Sequence, residues 1–462
     1  MNLIIVLGAL IFLMLVAYRG YSVILFAPVA ALGAVLLTDP SLVAPMFSSV
    51  FMEKMVGFVK NYFPVFMLGA VFGKVIELSG FSKSIVSAVI GLIGRERAML
   101  SIVLVCAILT YGGVSLFVVV FAVYPFAAEM FRQGEIPKRL IPCTIALGAF
   151  TFTMDALPGT PQIQNIIPTT YFKTDAFAAP ALGVIGALFM LAVGMLYIEW
   201  RRRAAHAAGE GYGEGHTNEP AALDHSHSHW LLALLPLVMV FGLNKWFTSL
   251  IKASYGMSYE LKLAVMAKPV TLTVDKFAAV WAVQGALIAG ILTVAVFAWK
   301  PIAKGFAEGS KAAAGGALLA SMNTASEYGF GAVIATLPGF MVIRDALTAI
   351  PNPLVNEAVT VTTLSGITGS ASGGMSIALA AMSDQFIAAA NANGISMQVL
   401  HRVASMASGG MDTLPHNGAV ITLLAVTGLT HKVSYKDIFA VTVIKTMAVF
   451  FVIAVYYTTG LV

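Results

Sequence analysis

Apolar runs of ~17 to 25 residues, the length an α-helix needs to cross a bilayer, follow one another almost without pause along this chain. They begin near Leu3, Tyr21, Tyr62, Leu140 and Phe177, and again near Trp230, Phe277, Gly316, His401 and Tyr435. Backbone N–H and C=O groups cannot face lipid unpaired, so such a chain must satisfy them inside helices or a closed barrel. A barrel would show alternating polarity over segments of ~10 residues, and these runs do not alternate. With 59% hydrophobic and 11% charged residues, a soluble globular protein is excluded as well. The prediction is an all-α polytopic membrane protein. MNLIIVLGALIFLMLVAYRGYSV has no basic n-region and no small-x-small cleavage site before Arg19, so it is read as a retained first helix. Cys106 and Cys143 lie in apolar runs without ligand spacing, which predicts no disulfide, no metal site and no cofactor. The net charge of +5 is read through its placement beside membrane segments, and no nucleic-acid partner is implied.

Polar sequence interrupts the pattern once at length. Residues 201–229, RRRAAHAAGEGYGEGHTNEPAALDHSHSH, are rich in Gly and His and have no hydrophobic period, as expected of a solvent-exposed linker. His225, His227 and His229 are read as soluble loop rather than metal ligands. The stretches 41–60 and 248–276 are amphipathic and are expected at the membrane surface. The two flanks of the linker share fragments in the same order. MDALPGTPQ at 154–162 answers MDTLPHNGA at 411–419, with Asp155 and Asp412 (412 − 155) and Pro158 and Pro415 (415 − 158) both 257 residues apart. GKVIELSGF at 73–81 matches GAVIATLPGF at 331–340, and GGVS at 112–115 matches GGMS at 373–376. Such colinearity argues for duplication. With about five crossings per half, an odd number, the second copy enters the membrane in the opposite sense, so residues 1–200 and 230–462 are predicted to be inverted-topology repeats. Arg19, Arg95, Arg97, Lys138, Arg139, Arg201 to Arg203, Lys300, Lys304 and Lys311 then share one face. By the positive-inside rule that face and the linker are cytoplasmic and both termini periplasmic, although Lys245, Lys252, Lys262, Lys268 and Lys276 fall on the other face.

Each half also holds two segments that are not simple spans. Between Glu96 and Arg132, two short apolar runs flank TYGGVS, and LSGITGSASGGMS at 364–376 has the same character. These are read as re-entrant helical hairpins at about 97–132 and about 354–391, against the alternative of a small-xxx-small helix contact. The repeated Asp-x-Leu-Pro motif lies on the segment after each hairpin, at about 139–170 and about 397–428. Pro158, Gly159 and Pro161 must interrupt a helix, because proline removes a donor and costs ~3 kcal/mol in a helix interior. Thr160 as N-cap with Pro161 as first helical residue would restart it, as would Asn417 and Gly418 in the second copy. A plain proline kink would leave the clustered polar groups there unexplained.

An unwound joint presents a helix N-terminus, which favours an anion. The donors available at the joints and hairpin tips are Gly112, Gly113, Ser115, Gly159, Thr160, Gln162, Ser370, Ser372, Gly373, Gly374, Ser376, His416 and Asn417, a set suited to a small carboxylate bearing hydroxyls. No Arg or Lys lies within these motifs. Asp155 and Asp412 are the leading candidates for ion coupling, with His416 as the other titratable group; either aspartate would alternatively cap freed amides. Glu327 and Glu77 are secondary candidates for the same role, expected at helix ends or in packing contacts. There is no H-E-x-x-H motif and no recognisable Ser/His or Ser/Lys pair, so an enzyme is not expected. An ion channel is the remaining alternative from another class.

The blocks YGGVSLFVVVFAVYPFAAEMFR, PKRLIPCTIALGAFTFTMDALPGTPQIQNIIPT, SGITGSASGGMSIAL and MASGGMDTLPHNGAV resemble the gluconate permease family of the ion-transporter superfamily, and the likeness covers nearly the whole chain. Within it, MDTLPHNGA is more similar to the branch associated with D-3-hydroxybutyrate than to the gluconate branch, and citrate-type sequences are similar too. The resemblance implies proton symport of a sugar acid or short hydroxyacid by a homodimer in the bacterial inner membrane, with transport halves moving against a scaffold. A sodium-coupled, citrate-type symporter is the alternative.

Overall fold

The first two apolar runs form α1 (Asn2–Tyr18) and α2 (Val23–Thr38), packed on one another. The structure, a computed structural model, describes residues 2–19, 21–94, 97–114, 116–220, 229–262, 269–415 and 417–462. Asp39 caps the next turn by accepting from the Ser41 amide at 3.0 Å. The chain then runs through α3 (Val43–Met46) and a π turn at Phe47–Phe51 into α4 (Met52–Leu78). The stretch 41–60 is therefore not a separate surface connector: Pro40–Leu78 is one helical path, apolar enough to span.

α5 (Phe81–Ile93) leads to α6 (Ala98–Tyr111) and α7 (Leu116–Gln133), which pack side by side. An interrupted segment follows, made of α8 (Ile141–Ala149), α9 (Phe152–Asp155) and α10 (Ile163–Phe172), and then α11 (Pro180–Ala207). Beyond the polar region come α12 (Trp230–Tyr255) and two short strands, β1 (Ser258–Leu261) and β2 (Val270–Thr273), paired antiparallel with Ser258 opposite Thr273. That ribbon replaces the simple amphipathic connector expected for 248–276, because SYEL and VTLT carry β-branched and aromatic residues that suit strands. The chain closes with α13 (Val274–Thr336), α14 (Pro338–Thr348), α15 (Pro353–Thr368), α16 (Ala371–Ala392), α17 (Met397–Ser408), α18 (Gly418–Thr427) and α19 (His431–Thr459).

The spans expected near Phe277 and Gly316 form a single helix of 63 residues, bent where Ala298 leaves helical geometry (φ −135°, ψ 33°). Pro301 cannot donate to the Phe297 carbonyl and its ring crowds that turn, which places the bend. The Ala, Lys and Glu residues beyond it are strong helix formers, so the polar stretch continues the helix instead of looping. Among the described residues five helices are long and apolar enough to cross a membrane outright, and shorter helices and broken segments account for the other apolar runs. The same order runs through both halves: a long helix (α4, the second arm of α13), a short one (α5, α14), a pair joined at glycine, an interrupted segment, and a long helix (α11, α19). α13 packs along both α4 and α12, and α11 packs on α19.

The expected linker is also shorter and better anchored than its composition suggests. Arg201–Ala207 continue α11, since Ala and Arg favour helix. Residues 208–220 then fold back onto the protein. Glu210 accepts from Arg139 Nε and Nη2, each at 2.7 Å, and Glu219 pairs with Lys138 at 2.6 Å and with Arg132. Thr217 donates to the Gly428 carbonyl at 3.0 Å and Asn218 to that of Ala425 at 3.0 Å. His225 and His227 lie outside the described residues.

Candidate functional site

Both helical pairs close on glycine. α6 ends at Gly112, and Gly113 takes φ +97°, with Pro161 so near that an added Cβ would sit 3.0 Å from its ring. α15 ends at Gly369 with φ 64°; Ser370 is extended and caps α16 by accepting from the Gly373 amide at 3.1 Å. The second break docks on this tip, Asn417 donating to the Gly369 carbonyl at 2.8 Å while its Oδ1 caps α18 at the Val420 amide, 2.9 Å away.

Between the tips and the breaks lies a cavity of about 780 Å³. The first residues of four helices line it: Leu116 of α7, Gln162 to Gln164 at α10, Ser370 to Ser372 at α16, and Asn417 to Ala419 at α18. The opening amides of a helix have no intrahelical acceptor and carry roughly half a positive charge, so their convergence favours an anion. Side-chain amides and hydroxyls of Gln162, Asn323, Thr324, Ser370, Ser372 and Asn417 surround the same space. The cations nearby are matched: Lys74 pairs with Glu77 at 2.9 Å, and Lys445, buried on α19, pairs with Asp412 and donates to the Phe150 carbonyl at 3.2 Å.

Of the residues picked out in the sequence, Gly113, Gln162, Ser370, Ser372, Asp412 and Asn417 line the cavity. Ser115 and His416 lie outside the described residues. Gly112, Gly159, Thr160, Gly373, Gly374, Ser376 and Asp155 do not line it, each for a packing reason. Gly112 abuts Leu237, Gly159 abuts Phe177 and Phe241, Gly373 abuts Glu327, and Gly374 lies on the backbone of Ser365 in α15. Ser376 is fully buried, one turn into α16. Thr160 is fully buried too, its carbonyl held by Asn165 Nδ2 at 3.0 Å. The expected restart at Thr160 and Pro161 is therefore displaced: α10 begins at Ile163, with Gln162 extended (φ −65°, ψ 144°) before it. The Gln162 side chain donates to the Thr110 carbonyl at 2.7 Å, tying the break to the first hairpin.

Asp155 is buried behind the cavity, its carboxylate against Gly409. Its backbone carbonyl accepts from Arg402 Nη1 at 3.0 Å and from the Ser405 hydroxyl at 2.7 Å. Arg402, fully buried on α17, also donates to Asn165 Oδ1 at 3.0 Å and to the Ala178 carbonyl at 2.8 Å. The first break is thus braced by the second half of the chain. Local sequence carries no sign of Lys445 or Arg402, because each meets its partners only through the fold. Asn323, Thr324 and Glu327 do leave a trace, a polar face spaced i, i+1 and i+4 in an otherwise apolar helix. Glu327 is consequently not at a helix end: it sits nine residues before the end of α13, in the cavity wall.

No protein-family model matches the chain. It is 59% identical to the uncharacterized transporter YxjC of Bacillus subtilis (strain 168), in an alignment of 472 residues that covers 100% of each chain. Its fold is similar to that of the Alcanivorax borkumensis YdaH transporter, whose crystal structure is described as revealing an unusual topology. The TM-score is 0.53 at 15% identity, over 92% of this chain and 90% of that one, a likeness of fold alone. A polytopic helical chain with a cavity that carries polar groups in a largely apolar wall, matched end to end by a transporter, is a membrane transporter and not an enzyme, and it belongs to the family of YxjC.

Proposed function

We propose that the protein is a secondary active symporter that imports a small hydroxymonocarboxylate, D-3-hydroxybutyrate or a gluconate-like sugar acid, together with protons. The observation that carries this reading is the convergence of four helix N-termini and a ring of amides and hydroxyls on one cavity with no unpaired cation among its described residues. Dipoles and hydroxyls favour one carboxylate and its hydroxyl groups while permitting release. A tricarboxylate would call for cations that Lys74 and Lys445, already paired, do not supply. The binding set is Gly113, Gln162, Ser370, Ser372 and Asn417.

Alternating access would come from residues 1–200 and 230–462 acting as inverted repeats, with the hairpins and broken segments of both meeting at the site. The shared element order and the 257-residue offset (412 − 155) support that reading. In the same scheme the protein is a homodimer of the bacterial inner membrane, with residues 201–229 cytoplasmic and both termini periplasmic. Hydroxyls of Thr324, Ser370 and Ser372 beside the Gly369 tip also suit a sodium ion, so coupling is tested directly. Purified protein in liposomes should accumulate labelled D-3-hydroxybutyrate or gluconate under an inward proton gradient. Accumulation that follows an imposed sodium gradient and ignores the proton gradient would replace the proton by sodium.

A further inference from the structure

Resting on that symport reading, we propose that Glu327 is the group that takes up and gives back the coupling proton, a role the sequence pattern directs to the aspartates. Glu327 lines the cavity and is buried, and its carboxylate and the Ser370 hydroxyl both lie against Gly373. Its Oε2 has no partner. Gly373 explains how it fits: a Cβ there would collide with the carboxylate, so only glycine lets Glu327 lie against the first turn of α16. The carboxyl therefore has a place in both forms. Ionised, it lies beside the Ser370 hydroxyl at the first turn of α16, where the helix N-terminus favours a negative charge; protonated, it gains an O–H donor.

The other acids that line the cavity are paired: Asp412 holds Lys445 and Glu77 holds Lys74. Asp155 and Glu357 also carry buried oxygens without a partner, but neither lines the cavity, Asp155 lying against Gly409. Of the elements packed round this part of α13, α4 presents the Lys74–Glu77 pair and Tyr62, α10 presents Tyr171 bonded to Tyr328, and Asp412 stands before α18. None of the described groups supplies Glu327 with a cation. An ionised Glu327 repels an incoming carboxylate, and protonation removes the repulsion and adds a donor. Substrate and proton then favour each other's binding by the same factor. The step is a single transfer, water to Glu327 on one side and Glu327 to water on the other, with no bond formed to the substrate.

Labelled D-3-hydroxybutyrate in proteoliposomes separates the roles. Wild-type protein should show proton-driven accumulation and, without a gradient, counterflow that depends on pH. Glu327→Gln should lose proton-driven accumulation by about tenfold or more, keep counterflow within about threefold, and lose its pH dependence. Glu327→Asp keeps an acid and should restore part of the accumulation with a shifted pH profile, which a packing role alone would not do. Accumulation that persists in Glu327→Gln, loss of counterflow along with it, or an Asp variant with an unchanged pH midpoint overturns the assignment. A wild-type protein indifferent to the proton gradient sinks the symport reading itself, and this inference with it. Should Glu327→Gln fail to fold, the Asp variant's midpoint and proton uptake by wild-type protein on binding D-3-hydroxybutyrate decide the matter, about one proton per ligand being expected.

Discussion

The two Asp-x-Leu-Pro breaks start from nearly the same residues and serve different ends. At the first, the freed backbone is answered by protein: Tyr111 donates to the Pro158 carbonyl at 2.7 Å, the Gly159 amide reaches Ala176 at 2.7 Å, and Asn244 donates to the Gly159 carbonyl at 3.3 Å. Asp155 is sealed there beneath Arg402 and Ser405. At the second, Asp412, Thr413, Asn417, Gly418 and Ala419 all face the cavity, and Asp412 is held by Lys445. The first break is a brace from Asp155 to Thr160 and reaches the cavity only at its far end, Pro161 to Gln164, whereas the second is a wall of the site from Asp412 onward. Duplicated sequence therefore does not imply duplicated duty, because the partners that decide the duty come from elsewhere in the fold.

The largest effect should come from separating the buried pair at the second break. Lys445→Met leaves Asp412 as an uncompensated buried charge and should cost about 3 to 5 kcal/mol. The thermal midpoint of purified protein in detergent would fall accordingly. Combining it with Asp412→Asn should recover most of the loss; a double variant no more stable than the single one would show that the pair is not what holds α19 to the break.

The glycines come next. Gly159 has φ +84° and an added Cβ would strike Phe177 and Phe241, so Gly159→Ala should destabilise by about 1 to 3 kcal/mol. Gly418, at the second break, has nothing within 4 Å, and Gly418→Ala should stay within about 0.5 kcal/mol. Equal losses in the two variants would erase the distinction between brace and wall. A smaller and more functional change is expected for Asn417→Ala, which removes the α18 cap and the donor to Gly369 at about 1 kcal/mol in stability. Its transport KM for D-3-hydroxybutyrate should rise more than its maximal rate falls, whereas Asn165→Ala, at the brace, should act through stability.

Much of this arrangement could be read from local chemistry. Gly-Gly tips and Pro-Gly breaks are backbone signals, and they mark where the helices stop whatever packs around them. What stayed hidden depends on distant partners. Asn165 and Ala176 hold Thr160 and Gly159, which pushes the restart of α10 on to Ile163. Lys445 lies 33 residues from Asp412, in a helix that otherwise reads as a plain span. Composition also misled at the linker, because Glu210 and Glu219 find opposite charges on α7 and the α7–α8 turn and Thr217 finds an acceptor beyond α18.

That strap offers the smallest predicted effect. Hydrogen bonds from Arg139 hold the Glu210 carboxyl below its ordinary range. A depressed folded-state value means the contribution is complete above the usual glutamate value of about 4.3 and is lost as pH falls through the lower folded value. Proteolysis within residues 208–220 should accelerate modestly on acidification, and Glu210→Gln should give the fast rate already at neutral pH. A rate that ignores both would leave the strap without an ionic anchor.

The central claim, that the cavity between the hairpin tips and the second break is where substrate binds, is tested most directly by chemical protection. Cys106 and Cys143 are both buried, so an introduced thiol at the cavity can be followed against a low background. Maleimide labelling of S372C should slow in the presence of D-3-hydroxybutyrate, while labelling of S249C, exposed on α12, should not change. Labelling of S372C that proceeds at the same rate with saturating D-3-hydroxybutyrate, in protein that transports it, would contradict the account.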